Sequence, residues 1–329
     1  MQQVLTAVSL FSGCGGFDWG ATQAGLEIIW ANDIYPHAAS AYRSIFPNTE
    51  FHLGDVREIK SFPVADILIG CYPCTGFSMA ARRRWKDREV RDLRTNDNNF
   101  LYREFIRVLR QVKPKYLFVE NVGGMVTADE GWFLKRQFAG FKRYGYKVQS
   151  AVLNAADYGV AQDRKRMFIV GVHTDVTDFE YQFSNPTHGS KLDNPSTTLQ
   201  DVISGMPLWP KGEYCDKPFH GHYLTRNRKR KWNEQSYTIV AHAHHVPLHP
   251  MGRPMKFVGK DHWELQGKSN RRLSWIECAK IQGLPENISP SGTLNDRYRV
   301  VGNAVPPGLG RAIVSPVIAH ESARSNSKS

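Results

Sequence analysis

The sequence lacks the features of several protein classes. No apolar run approaches the roughly 20 residues that span a bilayer, and the first residues do not read as a signal peptide. The 329 residues include only five cysteines, with one CxxC pair, which favours a reduced cytosolic protein over a disulfide framework. Acidic residues are also scarce, because 31 Asp and Glu face 43 Lys and Arg and leave a net charge of +12. This excess is typical of proteins with a polyanionic partner, although charge alone does not prove one.

The first half of the chain has the pattern of an α/β sheet. Short apolar runs alternate with amphipathic stretches from Val4 to about Val172, which predicts strand, helix and strand in a parallel sheet. Residues 101–112 carry their apolar side chains on one face and precede Pro114, as a crossover helix does. The predicted strands cover residues 7–11, 27–31, 66–70, 116–120 and 167–172.

The middle of the chain differs in composition. Residues 175–268 are rich in Pro, His, Asn, Lys and Trp and show no periodicity, so they predict a second, irregular domain. Helical signal returns where Ser274 and Glu277 form a capping box, and again from Gly308. We therefore predict a catalytic and cofactor-binding domain at 1–174, a smaller domain at 175–268, and a hinge with a returning C-terminal segment at 269–329.

A glycine-rich turn, FSGCGGF (residues 11–17), follows the first strand. It is not the GxGxxG dinucleotide fingerprint, because the third glycine would fall at Asp18. Asp33 ends the second strand, where an acid meets a ribose hydroxyl, and Asp55 follows a presumed third strand, where it could accept from an adenine amine. A tight structural turn is the alternative, but the two acids favour an adenosine-bearing cofactor. Three residues would let the backbone approach it closely: Gly13, Gly15 and Gly16.

The segment CYPCTGFS (71–78) holds the CxxC pair. Zinc needs about four ligands, and no second pair at knuckle spacing accompanies Cys71 and Cys74. A redox dithiol would begin a helix, whereas Cys71 follows a strand directly and is expected to pack against the sheet. Cys74 follows Pro73 on the loop beyond the strand, where a thiolate would be exposed. Alone, it is more often structural than catalytic.

Three further charged residues accompany this loop. Glu120 ends the next strand, and a carboxyl group there is costly unless it is paired or used. Arg164 and Arg166 lie two residues apart at the start of a strand, hence on one face. A salt bridge or a solvated strand edge would explain each of them separately. Their convergence with Cys74 beside a cofactor turn favours a catalytic site.

Together these motifs resemble the DNA cytosine-5 methyltransferase family of the prokaryotic restriction-modification type. FSGCGGF resembles its cofactor loop, PCTGFS its nucleophile loop, ENV its acid, QDRKR its arginine pair, and GNAVPP (302–307) its closing segment. Order and spacing agree over residues 5–172 and about 270–314. The resemblance implies a Rossmann-like, S-adenosylmethionine-dependent sheet with a smaller irregular target-recognition domain, and the activity of a DNA (cytosine-5-)-methyltransferase.

The resemblance also implies roles for individual residues. Cys74 would add to C6 of a flipped cytosine, Glu120 would bind N3 and the exocyclic amine, Arg164 and Arg166 would stabilise the polarised carbonyl, and no metal would be needed. Phe17 and Ile34 would flank the adenine ring. The family usually has glutamate at Asp33 and glutamine at Thr75. The implied cofactor contacts are Phe11, Gly13, Gly15, Gly16, Phe17, Asp33, Ile34, Asp55, Pro73, Asn303 and Ala304.

The implied DNA contacts lie in two regions. Residues 78–99 resemble a mobile loop that closes over DNA, where Ser78, Arg82, Arg83 and Arg84 would meet phosphates. The middle domain would read bases in the major groove, and Arg272 would brace its junction with the large domain. For each middle-domain candidate, a contact with the DNA backbone or with solvent is as well supported as a contact with a base edge. The candidates are Arg226, Arg228, Arg230, His242 and His245.

These expectations define the partners and the competing functions. We expect a monomer that acts on double-stranded DNA in the bacterial cytoplasm, associated with the nucleoid when bound, with a cognate restriction endonuclease as a separate partner. A transfer RNA cytosine-5 methyltransferase on the same fold is the nearest alternative. A silent DNA-binding regulator would not need Cys74, Glu120 and both arginines. A nicotinamide dehydrogenase would need the missing third glycine.

Overall fold

A computed structural model describes residues 4–73, 93 and 95–326, and its main sheet has seven strands. The predicted strands are all present, and the presumed third strand is β3, so these predictions are confirmed. Along the chain the strands are β1 (Thr6–Leu10), β2 (Glu27–Asp33), β3 (Glu50–Leu53), β4 (Ile67–Gly70), β5 (Tyr116–Val122), β6 (Tyr146–Asn154) and β7 (Lys165–His173). Their order in the sheet is β3-β2-β1-β4-β5-β7-β6.

One strand departs from the predicted parallel arrangement. Strands β1 to β5 pair in parallel, whereas β7 is antiparallel to both β5 and β6. The short connection 155–164 joins β6 to β7, and it leaves no room for the helical crossover that a parallel pair needs. Strand β6 was not predicted from the sequence. It lies at the edge of the sheet, and its Val152 is 48% exposed. The sheet is therefore mixed.

Helices cover both faces of the sheet. Alternate side chains of β4 point to opposite faces. Ile67 and Ile69 pack in the cluster with the first and the last helix, and Leu68 packs in the cluster with the helices at 102–112 and 132–143. Within the described residues, none of the helices is long and apolar enough to cross a membrane. The described α-helices are α1 (Gly16–Gln23), α2 (Pro36–Ile45), α3 (Tyr102–Val112), α4 (Trp132–Arg143), α5 (Leu199–Ile203), α6 (Trp275–Ile281), α7 (Leu294–Asn303) and α8 (Pro307–Asn326).

Helix α3 confirms the crossover helix predicted at residues 101–112. Phe105, Val108 and Leu109 form its buried face. The helix ends where Lys113 adopts a left-handed conformation, with φ 47°, directly before Pro114. Proline disfavours the helical region for the residue before it, so the sequence itself sets this boundary.

Glycines let the C-terminal helix return to the first. A Cβ atom on Gly20 of α1 would lie 2.0 Å from the carbonyl oxygen of Pro307, and one on Gly310 of α8 would lie 2.5 Å from that of Phe17. No side chain fits at such distances, so the backbones of α1 and α8 approach closely only because both positions are glycine. This contact brings the segment GNAVPP to the glycine-rich turn.

The middle region has a small core of its own and several contacts with the large sheet. Tyr223, Leu248 and Met255 are buried together, beside a hairpin of β8 (Lys256–Gly259) and β9 (His262–Glu264). Tyr181, by contrast, packs with the sheet and donates to the carbonyl oxygen of Ile313 at 2.9 Å. The division at residues 174 and 175 stays a prediction.

Arginine side chains hold the junction after the middle region. Arg272 is buried and donates to the carbonyl oxygens of His244 at 3.1 Å and Lys217 at 2.7 Å. Its guanidinium also lies 4.4 Å from the ring centre of Phe219. Arg272 therefore ties the segment after the middle region to two separate parts of that region, and a bracing contact with the large domain stays a prediction.

A buried charged group lies next to this junction. Arg271 donates two hydrogen bonds to Glu277, at 2.7 and 2.8 Å, and Glu277 also accepts from the backbone N–H of Ser274 in the predicted capping box. The imidazole Nε2 of His249 lies 3.6 Å from the Glu277 carboxylate, and its Nδ1 accepts from the backbone N–H of Met251 at 3.1 Å. Burial lowers the pKa of His249 to about 4. His249 is therefore uncharged in the folded protein at neutral pH.

This neutral histidine predicts a loss of stability in acid. The unfolded chain takes up a proton near pH 6.5 and the folded chain only near pH 4, so His249 stabilises the fold above about pH 6.5 and this contribution is lost as the pH falls. Between about pH 7 and about pH 5 the loss is about 2 kcal/mol. Urea unfolding should show a smaller loss in His249→Gln than in the wild type, whereas His262→Gln on the exposed hairpin should follow the wild type. Parallel losses in all three proteins would contradict this.

Candidate active site

Three segments singled out from the sequence meet at one edge of the sheet. Strands β1, β4 and β5 are parallel neighbours, so the glycine turn after β1, Cys71 after β4 and Glu120 near the end of β5 lie together. Ligands in such sheets bind beyond the carboxyl ends of the strands. Glu120 lies two residues beyond Phe118 and therefore shares the face that α1 and α8 cover.

Glu120 and Arg166 form an ion pair at this edge. In the antiparallel ladder Glu120 lies opposite Phe168, and Val122 lies opposite Arg166, so the two charged residues are diagonal neighbours on one face. The Arg166 Nε lies 2.9 Å from the Glu120 Oε1, and their side chains are 15% and 12% exposed. Burial raises the pKa of Glu120, while the positive charges of Arg166 and Arg164 oppose that rise. The site therefore holds a carboxyl group that is desolvated and oriented.

Arg164 does not share this pair, although it was predicted as its catalytic companion. Its side chain is 1% exposed, and its Nη atoms donate to the carbonyl oxygens of Ile239 at 2.9 Å, Gly302 at 2.8 Å and Ala304 at 2.9 Å. All three acceptors are backbone groups of the middle and C-terminal segments. We therefore correct its role: Arg164 is a positioning residue that ties three segments together beside Glu120.

Cys71 has the environment of a structural thiol. It is half-buried against the sheet cluster, and its backbone N–H donates to the carbonyl oxygen of Leu10 at 3.1 Å. Burial, together with the negative charge of Glu120, raises the pKa of Cys71 well above its usual value. This supports the prediction that Cys71 packs rather than reacts. Pro73 is exposed, and the residues predicted beyond it lie outside the described residues: Cys74, Ser78, Arg82, Arg83 and Arg84.

Asp33 joins the glycine turn to the end of β2. Its carboxylate accepts from the backbone N–H of Gly13 at 2.9 Å and from that of Tyr35 at 2.8 Å. Burial raises the pKa of Asp33, and these hydrogen bonds oppose the rise. Each carboxylate oxygen retains acceptor capacity, so the group could also receive the hydroxyls of a sugar. Gly13 has open space on its side-chain side, as a loop that faces a ligand requires.

The other two glycines of the turn are needed for a different reason. A Cβ atom on Gly15 would lie 2.7 Å from the ring of Phe46, and one on Gly16 would lie 2.2 Å from the carbonyl oxygen of Val305. Atoms of the protein itself, and not of a ligand, therefore lie against the backbone of Gly15 and Gly16. Of the three predicted glycines, Gly13 alone borders open space, and Gly15 and Gly16 shape the turn.

The two phenylalanines of the turn have different positions. Phe17 is 2% exposed and packs against Phe118 and Phe168, with ring centres 6.3 Å apart in both pairs. Phe17 therefore packs into the core, and a contact of its ring with adenine stays a prediction. Phe11 is half-buried at the edge, 6.0 Å from the ring of Tyr72, and Ile34 is 64% exposed beside Asp33. Phe11 and Ile34 are the apolar side chains that could contact the cofactor.

The remaining predicted cofactor residues lie around the same edge. Asp55 accepts from the backbone N–H of Arg57 at 2.9 Å and pairs with its guanidinium, which lowers the pKa of Asp55. Asn303 is exposed at the end of α7, whereas Ala304 is buried and its carbonyl oxygen accepts from Arg164. Contacts of Asp55, Asn303 and Ala304 with a cofactor stay predictions.

Two residues of α7 join the site without any signal in the sequence analysis. The Tyr35 hydroxyl donates to Asp296 at 2.6 Å, and the Arg299 guanidinium lies 4.3 Å from the Tyr35 ring centre. The charge of Arg299 also opposes the rise in the pKa of Asp33. Asp296 and Tyr35 are 261 positions apart, so no local pattern could have linked them.

The predicted DNA-contacting arginines of the middle region differ from one another. Arg226 is exposed. Arg228 is 5% exposed, donates to the carbonyl oxygen of Tyr223 at 3.0 Å and lies 4.7 Å from its ring centre. Its predicted DNA contact is corrected, because these contacts hold the guanidinium inside the protein. Arg230 is half-buried, 4.1 Å from the ring centre of Tyr237.

Comparisons with known proteins show the family of this chain. The model of the C-5 cytosine-specific DNA methylase family matches residues 5–319. The chain is 37% identical to the Type II methyltransferase M.BsuRI of Bacillus subtilis, over 95% of this chain and 79% of that protein. It is 34% identical to M.NgoPII of Neisseria gonorrhoeae, over 94% of each. The solved structure of S. pombe Dnmt2 superposes with a TM-score of 0.67 at 15% identity, over 96% of this chain and 98% of that one.

The family match and the geometry point to the same chemistry. The described residues contain no group of three or more His, Cys, Asp or Glu that could hold a metal ion. They do bring together an acid, an arginine and a cofactor turn at the edge where the CxxC segment begins. The chain belongs to the C-5 cytosine-specific DNA methylase family.

Proposed function

We propose that the protein methylates C5 of cytosine at a specific sequence in duplex DNA, with Cys74 as nucleophile. The observation that carries the proposal is the desolvated Glu120–Arg166 pair, which lies beside the strand that continues into CYPC. A thiolate adds to a pyrimidine when a nearby acid and cation stabilise the charge that develops on the ring. The relatives are Type II methyltransferases, which supports a role as the modification enzyme of a restriction-modification system.

In the proposed chemistry, the Cys74 thiolate forms a bond from sulfur to C6. The electrons of the C5–C6 double bond move toward C5 and the ring, which makes C5 nucleophilic. After C5 gains the methyl group, its proton leaves to a base such as water, the electrons restore the double bond, and the sulfur–C6 bond breaks. The products are 5-methylcytosine, S-adenosylhomocysteine, which is what remains of the methyl donor, and the regenerated thiolate. Because no side chain reaches C6 inside a duplex, the base must first leave the stack.

Glu120 and Arg166 would stabilise the ring during this addition. Glu120 would bind N3 and the exocyclic amine, which selects cytosine over thymine because thymine has no amine there. A carboxyl group that has taken up a proton can donate to N3, and burial raises the pKa of Glu120 in that direction while the charge of Arg166 opposes the rise. Arg166 orients that carboxyl group and adds positive charge beside the ring carbonyl.

The glycine turn and the end of β2 offer an acceptor and apolar surfaces to S-adenosylmethionine. Asp33 would accept from the ribose hydroxyls, Gly13 gives room for the ligand, and Phe11 and Ile34 offer apolar contact to the adenine. When bound, this cofactor supplies an electrophilic methyl group. Arg299 and Asp296 would hold the Asp33 turn in place from α7.

The proposal predicts where a labelled methyl group is found. Purified protein with radiolabelled S-adenosylmethionine should label cytosine C5 in duplex DNA, and sequencing of methylated cytosines in DNA from cells that express the protein should show one recurring site. Unmethylated transfer RNA serves as the competing substrate. Label in transfer RNA and not in DNA would overturn the assignment. We further expect the protein to act as a monomer in the bacterial cytoplasm, with any cognate endonuclease acting separately.

A further inference from the structure

Five histidines of the middle region form one patch, which we name the histidine surface: His220, His222, His242, His244 and His245. They belong to or begin two 3-10 turns, Gly221–Thr225 and Ala243–His245. Ring centres lie 5.0 Å apart between His242 and His245, 5.2 Å between His242 and His244, and 5.5 Å between His220 and His245. Three of the five are exposed: His220, His222 and His242.

The histidine surface begins close to the catalytic edge. The carbonyl oxygen of Ile239 accepts from Arg164, and His242 lies only three positions after Ile239 in the chain. Three residues span at most about 10 Å. On its other side the turn is fixed to α7, because the backbone N–H of Ala243 donates to Asn295 at 3.2 Å. The turn that carries His242 is therefore held between α7 and the segment that contacts Arg164.

Positive groups surround the histidine surface. Burial lowers the pKa of His244, and nearby His242, Lys217 and Arg272 lower it further. Burial likewise lowers the pKa of His245 to about 4. The neighbouring charges that lower it further belong to His242, Arg228, His220 and His222. The charge of nearby Arg226 also opposes the rise in the pKa of Tyr223 that burial causes. Burial and these cations thus favour the uncharged imidazole at His244 and His245.

A polyanion laid on this surface would reverse that preference. Phosphate groups favour the charged form of a nearby imidazole, so each histidine that they approach becomes easier to protonate. We propose that the histidine surface contacts the phosphate backbone of bound duplex DNA and takes up protons as the complex forms. The inference rests on the proposed function, because DNA is the polyanion that this function brings to the catalytic edge.

Proton uptake gives a measurable dependence of affinity on pH. Each proton gained on binding strengthens the affinity by up to about tenfold for each pH unit of decrease. A neutral imidazole that hydrogen-bonds a base edge would change the affinity without this dependence. Ionic strength must be constant, because phosphate contacts are screened by salt.

The test compares the Kd for a fluorescein-labelled duplex, carrying the site mapped under the proposed function, between about pH 7.5 and about pH 6. Wild type is expected to bind about tenfold more tightly at the lower pH. The double variant His222→Gln and His242→Gln is expected to lose most of this gain. Both positions are exposed, but the His242 Nδ1 accepts from the backbone N–H of His244 at 3.3 Å, so a melting curve must show that the variant is folded. His262→Gln, on the exposed hairpin, should keep the wild-type gain.

Three results would overturn the inference: no gain in the wild type, an undiminished gain in the double variant, or equal weakening of that variant at both pH values. The last result would indicate neutral contacts. Failure of the proposed function is seen separately, as absence of methyl label in DNA from the wild-type protein at every pH. If the wild type methylates DNA and the double variant still gains affinity at the lower pH, the proposed function is supported and only the role of the histidine surface is contradicted.

Discussion

Replacement of Cys74 by serine is expected to lower methyl transfer to duplex DNA by about 10³-fold or more. A serine hydroxyl remains protonated at neutral pH and is a far weaker nucleophile than a thiolate, so addition to C6 fails. Affinity for S-adenosylmethionine should change little, because the cofactor contacts come from the turn and from Asp33. Single-turnover rates and calorimetric binding would separate the two effects.

The first cysteine of the CxxC pair gives the matched control. Cys71 is half-buried against the sheet, and its raised pKa keeps the thiol protonated. Cys71→Ala should therefore keep methyl transfer within about tenfold of the wild type, since it removes one small packing contact. Equal loss of activity in both cysteine variants would indicate that the pair acts as a dithiol, and would contradict a single nucleophile.

Replacement of Glu120 by glutamine is expected to lower kcat/KM by about 10²- to 10⁴-fold. Glutamine keeps the size of the side chain, but it cannot supply a proton to N3 or match the charge of Arg166. The variant also leaves Arg166 in a buried position without its anion, which costs stability. A melting curve must therefore accompany the rate measurement, to show that the protein assayed is folded.

A second glutamate offers a control for the lost ion pair. Glu104 pairs with Arg107 at 2.7 Å on α3, on the opposite face of the sheet. Glu104→Gln removes a comparable pair without touching the catalytic edge, and its activity should match the wild type. If Glu120→Gln were folded and as active as Glu104→Gln, Glu120 would have no part in the chemistry.

The sequence predicted that the glycine turn, Cys71 and Glu120 lie at one edge of the sheet, because all three follow or end strands. Apolar runs located β1, β4 and β5, and parallel pairing then brought the glycine turn, Cys71 and Glu120 to one edge. An ion pair between Glu120 and one of the arginines was among the alternatives. The sequence could not show which arginine, because the choice depends on the antiparallel register of β5 with β7.

Side-chain direction was harder to predict than position in the chain. Phe11 and Phe17 flank the same turn, but Phe17 falls on the core-facing side of α1 while Phe11 has a positive φ of 55° at the edge. Arg226 and Arg228 also look alike in the sequence, and one is exposed while the other is enclosed by contacts with Tyr223.

Contacts between distant segments gave no signal at all. The acceptors of Arg164 lie 75 to 140 positions away along the chain. The histidine surface likewise joins two turns about twenty residues apart, within a region that shows no periodicity. Such convergence depends on the fold of the whole chain, and a motif carries information only about its own neighbourhood.

The most direct test of the covalent step uses duplex DNA with 5-fluorocytosine at the target position. Fluorine at C5 cannot leave as a proton does, so the reaction should stop after methyl transfer with the enzyme still attached. Mass spectrometry is expected to find a complex equal to protein plus DNA plus one methyl group, joined through Cys74, and no complex with Cys74→Ser. Methylation of ordinary DNA at full rate without any trapped complex would contradict the account.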